Sequence, residues 1–350
     1  MAMQMTGQNP FGSSMYREAA ESAECVQRQL DSDKALLDSL SERVRDFRPR
    51  AVVTCARGSS DHAATYARYL IETRLGLLTS FASPSVSSIY GVRQDLSQCL
   101  FLAISQSGLS PDLLSAATAA KAAGALVVAL VNAEDSPLAA MAHYWVPLRA
   151  GREISVAATK SYICSLSAVL HLMGLWARDP SLLRALAEAP AQLALAWQLD
   201  WHSLVQELAT AEHLFVLGRG LGLGVAQEAA LKLKETCSLH AEAFSSAEVQ
   251  HGPMAALFAK QVPILMFAQD DETRLGQELL ARELSNDGVR ILMAGACVPR
   301  VTELPTIRAH PAVAPLLLAQ SFYKAAAILA HARGIDPDHP PGLKKVTSTR

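Results

Sequence analysis

The chain has few charged and few aromatic side chains for its length. Of its 350 residues, 18% are charged and 6% are aromatic, whereas half are hydrophobic. The formal net charge is -2, and acidic and basic residues are interspersed. The sequence therefore has no basic field to hold a nucleic-acid backbone or an anionic membrane surface. Any phosphorylated ligand would have to be bound by local groups.

Cysteines are few and far apart. The sequence has no CxxC pair and no His/Cys spacing suited to zinc, so a metal site is not expected. Because most of the cysteines lie within apolar runs, we predict that they are reduced thiols in the core of a cytoplasmic protein. The six cysteines are Cys25, Cys55, Cys99, Cys164, Cys237 and Cys297.

Long hydrophobic runs are also missing. The longest apolar stretch, residues 162–177, is interrupted by Ser165, Ser167 and His171. It falls short of the ~20 residues that a membrane-spanning helix needs, and we expect a buried helix instead. The amino terminus lacks a basic segment followed by an apolar core, so a signal peptide is not expected.

Short apolar runs alternate with helical patterns along most of the chain. Runs such as AVVTC, CLFLAI, LVVALV, YWVP, LFVLG, VPILMFA and RILMAG are separated by helix-forming stretches. This alternation is typical of βαβ units and a parallel sheet, and the length suits two domains of about 150 residues each. We predict a helical segment at 1–47, two α/β domains at 48–178 and 203–335 joined by a helical linker at 179–202, and a tail at 336–350.

The two predicted domains open alike. Laying VTCARGSSDHAATYA over FVLGRGLGLGVAQEA places Arg57 and Gly58 on Arg219 and Gly220. A match this weak can also arise by chance in alanine-rich sequence. Because both copies begin their domains at the same structural point, the alignment favours a duplicated fold.

Small hydroxyl residues follow two of the predicted strands. The turns Gly58-Ser59-Ser60 and SQSGLS, from Ser105 to Ser110, stand where a strand gives way to a helix. Open parallel sheets bind ligands at this carboxyl edge, where helix amino termini offer N–H groups and partial positive charge to a phosphate. A single serine here would be better explained as a helix N-cap. Several serines at two successive turns favour an anion site.

Acidic and basic side chains gather in residues 231–253, LKLKETCSLHAEAFSSAEVQHGP. On a helix, Lys232 and Glu235 lie three residues apart and share a face, which makes Glu235 a candidate general base. His251 is a second candidate, because imidazole exchanges protons readily near neutral pH. Taken singly, a solvated ion pair and a structural histidine are the alternatives. The clustering favours a function.

Four motifs resemble those of a known family. SQSGLSPD, EISVAATKSY, ALKLKETCSLHAEAFSSAEVQHGP and the closing GLKKVT are similar, in this order, to motifs of proteins with tandem sugar isomerase (SIS) domains. The similarity is greatest to the isomerase half of glutamine–fructose-6-phosphate aminotransferase and covers nearly the whole chain from about Met15. It implies an α/β fold of two tandem SIS domains, each a Rossmann-like parallel sheet flanked by helices in three αβα layers.

The resemblance also implies a catalytic site. Glu235 matches the glutamate that moves a proton between C1 and C2 of a sugar phosphate, and Lys232 matches its neighbour. His251 matches a histidine that assists ring opening and is donated by the adjacent subunit, so a homodimer with shared active sites is expected. Lys345 matches a tail lysine that meets the open-chain carbonyl and, in the aminotransferase, forms a Schiff base. Such chemistry requires neither a metal nor a redox cofactor.

The resemblance assigns the remaining site positions to sugar-phosphate binding. Ala158 departs from the family, which often has serine there. The matching positions are Ser59, Ser60, Ser105, Gln106, Ser107, Ser110, Val156 and Ala158.

Two departures bear on the reaction. The aminotransferase begins with the cysteine of a glutaminase domain, whereas this sequence begins MAMQMT and its first cysteine, Cys25, lies in a predicted helix. We therefore expect no ammonia source within the chain. Leu109 stands where the aminotransferase usually has an acidic residue, and the loop SGLSPD resembles that of SIS-type amino-sugar phosphate deaminases. The sequence predicts an enzyme that converts glucosamine 6-phosphate and water to fructose 6-phosphate and ammonia.

Other functions remain open at this point. A fructose-6-phosphate aminotransferase supplied with ammonia or glutamine by a partner, and a galactosamine-6-phosphate deaminase, would use the same groups. A non-catalytic sugar-phosphate sensor could do without Glu235, His251 and Lys345, all of which are present. The sequence also shows no helix-turn-helix segment or basic patch through which a sensor would bind DNA.

Overall fold

The computed structural model describes residues 10–343 and residue 345. Their contacts group into two compact units, each of which contains one sheet. The first unit comprises residues 24–153, 160–190 and 345, and the second comprises residues 10–23, 154–159 and 191–343. This grouping assigns residues 10–23 and the short segment 154–159 to the second unit. The domain boundaries expected from the sequence remain predictions.

The described residues form α-helices and short strands in alternation along most of the chain. The helices are α1 (Ser14–Ala20), α2 (Ser22–Ser32), α3 (Lys34–Phe47), α4 (Ser59–Leu75), α5 (Pro84–Ser88), α6 (Pro111–Ala122), α7 (Pro137–Met141), α8 (Lys160–Trp176), α9 (Pro180–Gln198), α10 (His202–Leu208), α11 (Leu223–Cys237), α12 (Met254–Lys260), α13 (Arg274–Asn286) and α14 (Ala314–Ala332). The strands are β1 (Ala51–Cys55), β2 (Thr79–Phe81), β3 (Cys99–Ser105), β4 (Leu126–Val131), β5 (Tyr144–Pro147), β6 (His213–Gly218), β7 (His240–Ser245), β8 (Ile264–Phe267), β9 (Ile291–Ala294) and β10 (Thr302–Leu304).

Both sheets are parallel and have the same strand order. The first runs β2-β1-β3-β4-β5, and the second, read in the same sense, runs β7-β6-β8-β9-β10. In chain order these are one topology repeated. The turns after β1 and β6 also correspond, since Gly58 and Gly220 both have a left-handed φ, of 56° and 59°. The predicted α/β fold with two such sheets is confirmed, and the shared topology supports the duplication hypothesis.

Buried strands and helices follow from continuous apolar sequence. Strands β3 and β4 are buried at every residue, as expected for central strands covered by helices on both faces. Helix α8 is buried almost all round and confirms the buried helix predicted for residues 162–177. No helix in the described part of the chain is long and apolar enough to cross a membrane.

Three strands have no counterpart among the apolar runs from which strands were predicted, namely β2, β7 and β10. All three are edge strands, and His240–Ser245 form β7 at the edge of the second sheet. An edge strand pairs on one side only and carries exposed polar residues, here His240 and Glu242, so it lacks the apolar run that reveals a central strand. A short 3-10 helix, Glu248–His251, and α12 follow it.

The cysteines agree with the core prediction except at one position. Five are buried, and Cys297, in the loop after β9, is exposed. Burial raises the pKa of the Cys55 thiol to about 12 and that of the Cys237 thiol to about 12. These two thiols are therefore held in the unreactive protonated form.

The guanidinium group of Arg333 caps the carboxyl ends of two helices in the second unit. Arg333, just after α14, donates from Nη1 to the carbonyl of Leu208 at 2.8 Å and to that of Ala211 at 2.9 Å, and from Nε to that of Cys237 at 2.7 Å. Leu208 and Cys237 are the last residues of α10 and α11, whose final carbonyls have no partner inside the helix. One side chain thus satisfies acceptors that would otherwise be left unpaired.

Replacing Arg333 by Met should lower the free energy of unfolding by about 2–4 kcal/mol, because several carbonyls lose a charged donor. Urea unfolding followed by circular dichroism would measure this. The matched control is Arg300→Met, since Arg300 is an exposed arginine with a single side-chain partner, Asn286. Equal urea midpoints for the two variants would contradict the capping role.

Candidate active site

The two serine turns of the first unit lie at one edge of its sheet. Strands β1 and β3 are neighbouring parallel strands, so the turns that follow them emerge at the same carboxyl edge. Arg57 in the first turn donates from Nε to the Oδ2 atom of Asp112 at 2.8 Å, and Asp112 lies in the first turn of α6. This ion pair links the turn after β1 to the helix that follows the serine loop. Asp112 also compensates the positive charge of Arg57, whose side chain is 52% exposed.

The serines do not act as ordinary N-caps. Ser110 is the N-cap residue of α6 but makes no side-chain capping hydrogen bond, and the N-cap of α4 is Gly58, not Ser59. Inside the loop, Ser105 Oγ accepts the N–H of Gly108 at 2.9 Å, so this hydroxyl shapes the turn. Ser59 and Ser110 thus do not cap these helices with their side chains, and the anion site at the serine turns stays a prediction.

Gly108 allows the loop to pack closely against its neighbour. Its φ is +64°, and a Cβ atom added there would lie 2.4 Å from Ser136 Oγ. The loop is also tied to the residues after β4, because the Gln106 carbonyl accepts the N–H of Ala133 at 3.2 Å. These two contacts hold the serine loop against the residues that follow β4.

The tail lysine meets a buried carboxylate in the first unit. Lys345 Nζ lies 3.4 Å from Glu153 Oε2, and the Glu153 side chain has no exposed surface. Glu153 also accepts the N–H of Ser161 at 3.2 Å and its hydroxyl at 2.6 Å. Residue 345 is therefore placed by an ion pair, whereas its expected role in the reaction remains a prediction.

The two predicted sugar-contacting positions, Val156 and Ala158, lie in residues 154–159, which belong to the second unit. Glu18 holds the beginning of this segment, because its carboxylate accepts the N–H of Ile154 and, at 3.1 Å, that of Ser155. Val156 and Ala158 are partly exposed, while their alternate neighbours are buried. Both predicted positions are therefore partly accessible within an otherwise buried stretch, residues 155–159.

Helix α11 carries a network of two carboxylates and one ammonium. Lys232 pairs with Glu235 one helical turn later and, at 3.5 Å, with Glu228 one turn earlier. Tyr323 of α14 donates its hydroxyl to Glu228 at 2.9 Å. The side chains of Glu228 and Lys232 are 1% exposed, whereas that of Glu235 is 21% exposed. Of these three groups, only the Glu235 carboxylate reaches the protein surface.

This network suits proton transfer. The buried ammonium fixes the position of the Glu235 carboxylate, and the second carboxylate, Glu228, leaves Lys232 fully compensated. A positioned carboxylate at the edge of an apolar interior can remove a proton from a bound ligand and return it to an adjacent atom. His251 lies outside this network, at the exposed end of a 3-10 helix.

The structure thus collects the predicted residues into groups within each unit. The first unit brings together the serine turns and pairs Lys345 with a carboxylate, and the second joins Lys232 to Glu235. The sequence reasoning missed three carboxylates: Glu18, Glu153 and Glu228. Glu228 could have been found from its i,i+4 spacing to Lys232. Among the described residues, no three His, Cys, Asp or Glu side chains converge as metal ligands.

The sequence matches the SIS domain over residues 47–173 and again over residues 207–294. The chain belongs to the SIS domain family. The two matches contain the two parallel sheets almost completely, in agreement with the repeated topology. This family assignment shows a sugar isomerase fold related to the isomerase domain of glutamine–fructose-6-phosphate aminotransferase.

Relatives of this SIS protein include enzymes and solved structures. The glutamine–fructose-6-phosphate aminotransferase (isomerizing) of Sulfurisphaera tokodaii is 30% identical over 348 residues, which cover 95% of this chain and 56% of the relative. The chain spans about half the length of the curated relatives it matches. A candidate phosphosugar isomerase from Silicibacter pomeroyi is 42% identical with a TM-score of 0.90, covering 93% of this chain and all of the other.

Two further structures extend the comparison. The C-terminal domain of glucosamine-fructose-6-phosphate aminotransferase from Francisella tularensis is 26% identical with a TM-score of 0.85, and 96% of this chain aligns with all of that domain. The glucosamine-6-phosphate deaminase of Thermotoga maritima shares the fold, with a TM-score of 0.76 over 96% of this chain and all of the other, at 21% identity.

Replacing Lys232 by Met should destabilise the protein by about 3–5 kcal/mol, because the buried Glu228 carboxylate would lose its charged partner. Adding Glu228→Gln to that variant should recover part of the loss, since the unpaired charge is then gone. Thermal unfolding of the single and double variants measures the coupling. If Glu228→Gln and Lys232→Met lower stability additively, the two side chains do not form the network described above.

Proposed function

We propose that this SIS protein converts glucosamine 6-phosphate and water to fructose 6-phosphate and ammonia. The observation that carries the proposal is the Glu235 carboxylate, held by a buried ammonium and alone in its network in reaching the surface. An aldose–ketose conversion needs one carboxylate that can serve two adjacent carbons. The ion pair with Lys232 and the partial exposure of the Glu235 side chain support this role.

The reaction divides into steps that the chain's own groups can perform. Ring opening exposes the C1 aldehyde, with the amino group on C2. Glu235 then removes the proton from C2, and protonation at C1 gives the imine of fructose 6-phosphate. Water adds to C2 of the imine, the C–N bond breaks, and ammonia leaves with the ketone remaining. His251 would serve the ring-opening step, and Lys345 would hold a charge near the open-chain carbonyl.

The sugar phosphate would be bound by the serine turns of the first unit. Hydroxyl groups and helix N–H groups can hold a phosphate without lysine or arginine, which suits a chain with no basic field. Val156 and Ala158 would contact the sugar. The phosphate ligands are proposed to be Ser59, Ser60, Ser105, Gln106, Ser107 and Ser110.

Leu109 supports the direction of the reaction. It occupies the position at which the aminotransferase usually has an acidic residue, and it is 46% exposed on the serine loop. The SGLSPD loop is more like that of SIS-type deaminases, and this similarity favours release of ammonia. An assay of ammonia with glucosamine 6-phosphate, repeated with galactosamine 6-phosphate, tests both direction and epimer.

The second candidate function is synthesis of glucosamine 6-phosphate from fructose 6-phosphate. It is favoured by the curated relatives, which are named glutamine–fructose-6-phosphate aminotransferases and are 30–34% identical to this chain. The same proton transfer would run in reverse. Incubating the protein with fructose 6-phosphate and either ammonium or glutamine separates this function from deamination.

Replacing Glu235 by Gln should lower the rate of ammonia release by about 10²- to 10⁴-fold, because the amide cannot accept the C2 proton. Binding of glucosamine 6-phosphate, measured by calorimetry, should stay nearly unchanged. The control is Glu242→Gln, an exposed glutamate of strand β7 in the same motif. Undiminished ammonia release by Glu235→Gln would remove this carboxylate from the mechanism.

We further propose that the protein is a homodimer in which His251 of one subunit serves the site of the other. The exposure of His251 supports this assignment. Mixing and refolding two inactive proteins, Glu235→Gln and His251→Ala, should restore about a quarter of wild-type activity, because half of the dimers are hybrids and each hybrid has one intact site. If Glu235 and His251 act within one chain, every site in the mixture is defective and no activity returns.

A further inference from the structure

The second unit contains a cavity that the proposed reaction does not use. Its volume is about 500 Å³, which is within the range of small-molecule sites. It opens at the carboxyl ends of strands β8, β9 and β10, through residues such as Ala268, Gly295 and Thr306. Ligands of open parallel sheets bind at this edge.

The position of the cavity repeats that of the serine loop. In each sheet the third strand in chain order is the central one, β3 in the first unit and β8 in the second. The serine loop, residues 105–110, follows β3, and residues 268–273 follow β8 before α13 begins. The duplicated fold therefore offers the same binding position twice, with different side chains.

The loop after β8 is fixed by one buried amide. Gln269 donates from Nε2 to the Arg219 carbonyl at 2.8 Å, to Asp271 at 2.9 Å and to Thr273 at 3.1 Å. Its side chain also lies close to Gly222, where an added Cβ atom would be 2.5 Å from the Gln269 Oε1 atom. The loop that contributes Gln269 and Asp270 to the cavity lining is therefore held by hydrogen bonds within the protein.

The lining combines an apolar floor with charged groups. One face of α14, including Leu317 and Leu318, supplies the apolar part. Asp270 lies between two guanidinium groups: Arg274 Nη1 is 3.0 Å from Oδ1, and Arg308 Nη2 is 3.8 Å from Oδ2. The Arg274 group is fixed further by Glu278 at 2.7 Å, whereas the Arg308 side chain is 93% exposed. Arg308 is thus the cation best placed to meet an incoming anion.

We propose that this cavity is a second ligand site and that it takes a sugar phosphate. Arg308 and Arg274 would receive the phosphate, Asp270 would accept hydrogen bonds from sugar hydroxyls, and the α14 face would pack against the carbon skeleton. The choice of a hexose phosphate rests on the proposed function, in which the substrate and the product are both hexose phosphates. A molecule bound here would report the level of substrate or product without competing for Glu235.

Equilibrium dialysis with fructose 6-phosphate tests this site separately from the reaction. In a Ser107→Ala/Ser110→Ala protein, in which the serine loop is disabled, we expect one molecule still bound per chain. Adding Arg308→Ala should weaken that binding by about tenfold, the effect of losing one charge-assisted contact. The matched control, Arg300→Ala, should bind as before, and unphosphorylated fructose should not bind.

Two results would overturn the inference. One is the absence of any binding to the serine-loop variant, and the other is residual binding that neither Arg308→Ala nor Arg308→Glu weakens. The proposed function fails differently. A wild-type protein that binds two molecules of fructose 6-phosphate per chain but releases no ammonia refutes the reaction and leaves the second site in place.

Discussion

The arrangement of helix α11 depends on one buried ammonium that serves two carboxylates. Lys232 is 1% exposed, and an ion removed from water to this extent is tolerated only when it is fully compensated. The buried Glu228 carboxylate, which accepts a hydrogen bond from Tyr323, pairs with the Lys232 ammonium. The partly exposed Glu235 carboxylate pairs with the same ammonium. The constraint works in both directions, because the lysine also prevents the Glu235 carboxylate from turning away. The buried ion pairs of Lys232 therefore hold the anionic Glu235 carboxylate in place at the surface.

The parallel sheets determine where each unit can bind a ligand. Carboxyl edges of parallel strands collect turns and helix amino termini, and both units repeat the same strand order. In the first unit this edge carries serine hydroxyls and an arginine already paired with Asp112. In the second unit the same position carries arginines around an acidic residue. One topology thus presents two sheet edges of different chemistry, as duplication followed by change in the loops would produce.

Much of the fold could be predicted because central parallel strands and buried helices consist of continuous runs of apolar residues. LVVALV coincides with β4, and the predicted buried run lies within α8 and the residue after it. Strand β7 was missed because an edge strand does not require a continuous run of apolar residues. The site was predictable where partners are close in sequence, as with Lys232 and Glu235. Glu153 was not, because its partner Lys345 is 192 residues away, and only the folded chain reveals that pairing.

The central claim is that Glu235 transfers a proton between neighbouring carbons of a sugar phosphate. Proton NMR of fructose 6-phosphate incubated with the protein and ammonium in D₂O tests this most directly, whichever direction the reaction takes. With the wild-type protein, one of the two C1 hydrogens should be replaced by deuterium, whereas both should persist with Glu235→Gln. Retention of both C1 hydrogens in the presence of the wild-type protein would contradict this claim.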